Sequence, residues 1–165
     1  MLNELIELAK KDRLFNPNEI SICFTKTQAK NNDWLSKYSE EISKIQVDKG
    51  AYIFSSGDEI LYIGASGKIT NKEYTTNWKL PQRLKASRGK NHRGIDVSTP
   101  IFIQQLLTKG KTEAKSYGHI NLNIDEFQIT ILENYKGVPA SYLEAFLLFK
   151  YYSIKQKLPR LNLAF

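Results

Sequence analysis

The chain has 165 residues, of which 41% are hydrophobic and 25% charged, enough for one folded domain and unlike a disordered or coiled-coil protein. It carries 24 lysines and arginines against 17 acids, a net charge of +7. Most of the excess falls in two acid-free segments, residues 74–95 and the part after Glu144. Such segments suit a phosphate backbone, although a solvated basic surface would give the same composition.

The sequence argues against a protein stabilised by disulfides or a cysteine zinc cluster, and against a membrane-spanning or secreted protein. Cys23 is the only cysteine, so the chain forms no internal disulfide and no cysteine-based zinc cluster. No apolar run approaches the roughly 18 residues of a membrane span, and the first residues lack the apolar centre of a signal peptide. We therefore expect a cytoplasmic protein with no membrane partner.

The sequence pattern of residues 1–49 predicts an N-terminal helical extension. Apolar residues at helical spacing from Leu2 to Ala9 indicate a first helix, which ends before Pro17. After a short apolar segment at 20–24, Asp33 is placed to cap a second helix. One face of that helix is predicted to hold Trp34, Leu35, Tyr38, Ile42 and Ile45.

The remaining chain predicts a mixed α+β fold, with a small antiparallel sheet flanked by helices. Residues 50–54 and 59–64 are short aromatic and β-branched runs around a Ser-Gly-Asp turn and predict a β-hairpin. A polar loop follows at 67–79, and Pro81 opens a short helix. Further on, the pattern predicts a helix at 101–107, a strand at 127–132 and a long helix at 140–157. The apolar stripe of that last helix is predicted to be Leu143, Phe146, Leu147, Lys150 and Ile154.

Three residues in these elements could carry chemistry. Glu144 interrupts an apolar stretch, so its carboxylate must be solvated, paired or metal-bound, unless it only complements the helix dipole from the first turn. Tyr52 and Tyr62 stand on either side of the hairpin turn, where strand tyrosines more often pack than react. The pattern alone leaves these alternatives open.

The motifs as a set resemble the GIY-YIG nucleases. Gly50-Ala51-Tyr52 and Leu61-Tyr62-Ile63-Gly64 are similar to the two signature strands of that family. Arg83-Leu84 matches an arginine in the helix after the second strand, Glu144 matches a helical glutamate, and Asn162 matches an asparagine after that helix. By this resemblance, residues 50–165 form the nuclease core, with insertions at about 66–79 and 88–98.

The resemblance implies hydrolysis of a DNA phosphodiester with Mg²⁺, or with Mn²⁺ in its place, and with Glu144 as the metal ligand. Tyr52 is then the candidate general base, which needs a nearby cation such as Arg83, and Arg83 also stabilises the charged transition state. Tyr62 orients the water or the phosphate. Asn162 holds local geometry by hydrogen bonding rather than doing chemistry.

The sequence departs from the family pattern at Ala51, at Ser87 and at Ala65, where some members have lysine. Ala51 stands where isoleucine is usual, a change that should leave Tyr52 unaffected. Ser87 stands where many members have histidine or a second tyrosine, and Arg88, His92 or Arg93 could substitute there.

Basic residues around the short helix are the candidate contacts to DNA. They are Lys68, Lys72, Lys79, Lys85, Arg88, Lys90, His92 and Arg93. His92 could equally be an ordinary exposed histidine.

The compact plan is similar to the small restriction endonucleases of the family. We expect double-stranded DNA as the partner and sequence-specific cleavage, which with one site per chain favours a homodimer or two sequential nicks. A structure-specific or repair nuclease, and a binding module without activity, remain the alternatives.

Overall fold

In the computed structural model, the described residues are 1–31, 34–66, 79–85, 99–111 and 122–162. The elements of this part, in chain order, are α1 (Leu2–Lys11), β1 (Asn18–Thr25), α2 (Lys26–Lys30), α3 (Trp34–Ser43), β2 (Gly50–Ser56), β3 (Glu59–Ser66), α4 (Leu80–Lys85), α5 (Thr99–Lys109), β4 (Glu126–Glu133) and α6 (Ala140–Lys155). The fold is mixed α+β, as predicted. No helix of the described residues has the length and apolar character to cross a membrane.

The four strands form one antiparallel sheet in the order β1-β4-β2-β3. Tyr52 of β2 lies opposite Gly64 of β3 on one side and Ile131 of β4 on the other. The register between β2 and β3 shifts after Phe54, next to the turn. Strands β1 and β3 are therefore the two edges of the sheet, and β2 is central.

Apolar side chains cover both faces of the sheet. On one face, Tyr52 and Phe54 join a core with residues of α3, α4 and α5. On the other face, Ala51 and Ile53 join a core with α1 and α6. Because β2 alternates between two covered faces, its residues 50–55 are all buried.

The first 49 residues contain a strand as well as helices. The segment 20–24 lies within β1, which pairs along its length with β4, and its even-numbered residues Ile22 and Phe24 face the core. The two helices predicted in this region are present as α1 and α3, and the apolar segment between them, for which no element was predicted, is a strand. A short helix, α2, was also missed, although Thr25 and Gln28 form a capping box at its start.

Two predicted helix faces need correction. Leu35 is 42% exposed, because α3 buries Trp34, Tyr38 and Ile42 and turns Leu35 to solvent. On α6, Ile154 is 44% exposed, whereas Leu148 and Tyr151 are buried. The long helix is apolar nearly all round, so periodicity could not select its buried face.

Several predictions fall outside the described residues. These are the Asp33 cap, the loop and insertion residues at 67–78, the segment at 88–98, Ser87, and the DNA contacts Lys68, Lys72, Arg88, Lys90, His92 and Arg93.

Candidate active site

Two glycines of the hairpin motifs lie where no side chain fits. A Cβ on Gly50 would overlap the backbone carbonyl oxygen of Leu132 in β4. A Cβ on Gly64 would lie 2.5 Å from Cε1 of Tyr62 and 2.9 Å from Cζ of Tyr52. Gly50 therefore permits close pairing of β2 with β4, and Gly64 leaves room for the two tyrosine rings.

The two tyrosines lie together on one face of the hairpin. Their ring centroids are 6.0 Å apart, and the ring of Phe54 packs 5.4 Å from Tyr52 and 5.5 Å from Tyr62. Tyr52 is 4% exposed, whereas Tyr62 is only partly buried. The pair thus combines a rigid, buried ring with a neighbour that reaches solvent.

Arg83 brings a cation to the buried tyrosine. Its Nε donates a hydrogen bond to the Tyr52 hydroxyl at 3.4 Å, from α4 on the same face of the sheet. Arg83 is an exposed residue, so its side chain can also reach a ligand. This contact supplies the cationic neighbour that the candidate general base requires.

Asn162 binds the edge strand. Its Oδ1 accepts a hydrogen bond from the backbone N–H of Ile63 at 2.9 Å, and its Nδ2 donates a hydrogen bond to the carbonyl oxygen of Ile63 at 2.8 Å. The adjacent Leu161 N–H donates to the Leu61 carbonyl at 2.8 Å. The asparagine therefore satisfies both outward backbone groups of the residue between Tyr62 and Gly64.

Glu144 belongs to α6, which packs on the face of the sheet opposite to the two tyrosines. It is half-buried on α6, which packs mainly against β3, and its neighbours Leu143 and Leu147 belong to the α1 side of the core. Glu144 is the fifth residue of α6, beyond the first turn. The helix-dipole interpretation is therefore not favoured, since that effect is confined to the first turn.

A single carboxylate fits the way that magnesium binds to proteins. Mg²⁺ prefers oxygen ligands and retains several waters, so one glutamate and a substrate phosphate can suffice. The described residues contain no group of three or more His, Cys, Asp or Glu side chains that could hold a metal. Within this part of the chain, Glu144 is compatible with such a sparsely ligated site.

Two of the predicted DNA contacts lie within the described residues. Lys79 Nζ lies 2.8 Å from Asp48 Oδ2, and Lys85 Nζ donates to Ser43 Oγ at 2.7 Å. Lys79 directly precedes α4 and Lys85 is its last residue, and their partners lie at the end of α3 and in the loop after it.

One residue near the site was missed by sequence reasoning. Tyr38, predicted only as a packing residue of α3, is 1% exposed, and its hydroxyl donates to the Leu84 carbonyl at 2.6 Å. The available signal was a hydroxyl-bearing side chain on a buried helix face, which needs a partner.

The structure thus brings Tyr52, Tyr62 and Arg83 together on one face and ties Asn162 to β3. Glu144 stands on the helix over the opposite face of that strand. Comparison with protein-family models, with curated proteins and with solved structures gave no match. The resemblance to the GIY-YIG nucleases therefore stays a prediction from the motif residues.

Proposed function

We propose that the protein is a metal-dependent endonuclease that hydrolyses phosphodiester bonds of double-stranded DNA. The observation that carries this proposal is the contact of Arg83 with Tyr52 beside Tyr62, over a glycine that leaves space for both rings. A buried tyrosine hydroxyl, a guanidinium and a second hydroxyl on one face form a set that can accept a proton and hold a phosphate.

Each residue has a distinct role in this proposal. In its deprotonated form, Tyr52 accepts a proton from the attacking water and becomes neutral, and Arg83 stabilises the deprotonated form before the transfer. Arg83 also pairs with phosphate oxygens as negative charge develops, and Tyr62 orients the phosphate or the water. Glu144 would hold Mg²⁺, which supplies neutralisation of charge on the phosphate when bound.

The finer proposal is sequence-specific cleavage of the restriction type. Two features of the sequence support it: the many lysines and arginines around α4, and a small predicted core with short insertions that could contact DNA. One site per chain implies that two copies, or two successive events, cut the two strands.

The test is cleavage of a long defined duplex by the purified protein with Mg²⁺ and with an EDTA control, analysed on a gel. Discrete metal-dependent fragments would support sequence-specific cleavage. Nicked circles or a smear would support a nuclease that recognises shape. Salt-sensitive binding without cleavage in Mg²⁺ or Mn²⁺ would overturn the catalytic proposal in favour of a binding module.

A pair of matched variants assigns the activity to this site. Tyr52→Phe should abolish cleavage, while Tyr135→Phe, which removes a hydroxyl bonded to Glu133 outside the site, should retain it. Equal activity of the two variants would contradict the role proposed for Tyr52.

A further inference from the structure

The helix that carries Arg83 is too short to hold itself in place. Helix α4 has six residues, and isolated helices shorter than about 12 residues are marginal in water. Its position must therefore come from packing and hydrogen bonds to the rest of the protein.

Those bonds come largely from the N-terminal region. At the start of α4, the Leu80 N–H donates to the Asp48 carbonyl at 2.7 Å, and Lys79 forms an ion pair with the Asp48 carboxylate. At its end, Lys85 donates to Ser43, and Tyr38 donates to the Leu84 carbonyl at 2.6 Å. Of these contacts, the bond from Tyr38 is buried, whereas those of the two lysines lie at the surface.

The surroundings of Tyr38 keep its hydroxyl protonated, so that it can donate a hydrogen bond. Its ring packs against both Phe24 and Trp34, with centroids 5.8 and 6.0 Å away, and these contacts restrict the direction of the hydroxyl. Burial, with a smaller effect of the nearby Tyr52, raises the pKa of the Tyr38 hydroxyl well above its ordinary value. The proton is therefore retained, and the Leu84 carbonyl, one of those that a helix end leaves unpaired, is satisfied.

We propose that Tyr38 is a positioning residue for Arg83, fixing the end of α4 so that the guanidinium stays against the Tyr52 hydroxyl. This inference rests on the proposed nuclease function. It assigns part of the N-terminal 49 residues to the assembly of the site. The carbonyl that Tyr38 holds belongs to the residue directly after Arg83, so a shift of that carbonyl moves the arginine with it.

The test compares Tyr38→Phe with Tyr151→Phe. Each removes one hydroxyl from a buried tyrosine, but Tyr151 lies on the opposite face of the sheet. With duplex DNA and Mg²⁺ under single-turnover conditions, Tyr38→Phe should slow cleavage about tenfold, the size of one buried hydrogen bond. DNA affinity should stay within about twofold, since phosphate contacts are retained. Tyr151→Phe should cleave at the wild-type rate.

A double variant separates positioning from general destabilisation. Arg83→Ala alone should slow cleavage by about 100-fold or more. If Tyr38 acts through Arg83, adding Tyr38→Phe to Arg83→Ala should cost no further activity. A tenfold loss in both backgrounds, or wild-type cleavage by Tyr38→Phe, would overturn the inference.

Hydrogen exchange tests the same contact without any cleavage. Peptides covering residues 79–85 should exchange faster in Tyr38→Phe than in Tyr151→Phe, each relative to the wild type. Unchanged exchange would refute the positioning role. If the wild-type protein does not cleave DNA, the nuclease proposal fails, and exchange alone decides whether Tyr38 holds α4.

Discussion

Replacing Gly64 by alanine should disturb the tyrosine pair more than any other part of the fold. The new Cβ would stand 2.5 Å from Cε1 of Tyr62 and 3.0 Å from the hydroxyl oxygen of Tyr52. Tyr62 is only partly buried, so its ring is the easier of the two to displace. Tyr52 is buried and packed against Phe54, so it can move only by displacing its neighbours.

The expected cost in stability follows from this overpacking. Inserting a methyl group into a packed site costs about 1–3 kcal/mol, which for a chain of this size lowers Tm by about 2–4 °C per kcal/mol. Gly137→Ala is the matched control, because a Cβ there meets nothing within 4 Å. Urea denaturation followed by circular dichroism should show the loss in Gly64→Ala and a change within about 0.5 kcal/mol in Gly137→Ala.

The activity of Gly64→Ala should fall more than its stability. A displacement of about 1 Å in a reacting group can cost about 100-fold in rate, so single-turnover cleavage should drop by that order while the protein remains folded. If Gly64→Ala were as stable and as active as Gly137→Ala, the packing of both rings over Gly64 would be refuted.

Three further outcomes are expected. Glu144→Gln should abolish Mg²⁺-dependent cleavage while DNA binding, measured by gel shift, is kept; retained cleavage would exclude Glu144 as the metal ligand. Asn162→Ala should lower the free energy of unfolding in urea by about 1–3 kcal/mol, because it leaves the N–H and carbonyl of Ile63 unpaired, and an unchanged value would contradict those bonds. An unfolded tyrosine loses its proton above about pH 10, whereas the folded chain keeps the proton of Tyr38 because burial raises its pKa. The free energy of unfolding should therefore fall as the pH rises above about 10. For this one group the fall is at most about 1.4 kcal/mol per pH unit. Urea titrations should show a flatter alkaline decline in Tyr38→Phe, and an identical decline would refute the burial argument.

The fold was predictable where local pattern determines structure. Turn chemistry and β-branched runs located the hairpin, and helical spacing located α1, α5 and α6. The strand β1 was missed because its partner, β4, lies more than 100 residues away along the chain. A short apolar segment carries too little periodicity to reveal such a partner.

The sequence indicated that some candidate residues lie close together, but it did not indicate how the whole set is arranged. The motif spacing selected Tyr52, Tyr62 and Arg83, and the structure brings these three together. The hydroxyl of Tyr38 donates a hydrogen bond to the carbonyl of Leu84, 46 residues away, and no local sequence pattern indicates that contact. The approach of Glu144 from the opposite face likewise depends on where α6 packs.

The arrangement of the tyrosines depends on the register of the hairpin, and Asn162 is placed to protect it. β3 is an edge strand, so only β2 pairs with it within the sheet. A slip of one residue would turn Tyr62 to the α6 face and remove Gly64 from beneath Tyr52. By binding both backbone groups of Ile63 from beyond the end of α6, Asn162 opposes that slip at the residue between Tyr62 and Gly64. The asparagine can therefore be essential to the site without touching a substrate.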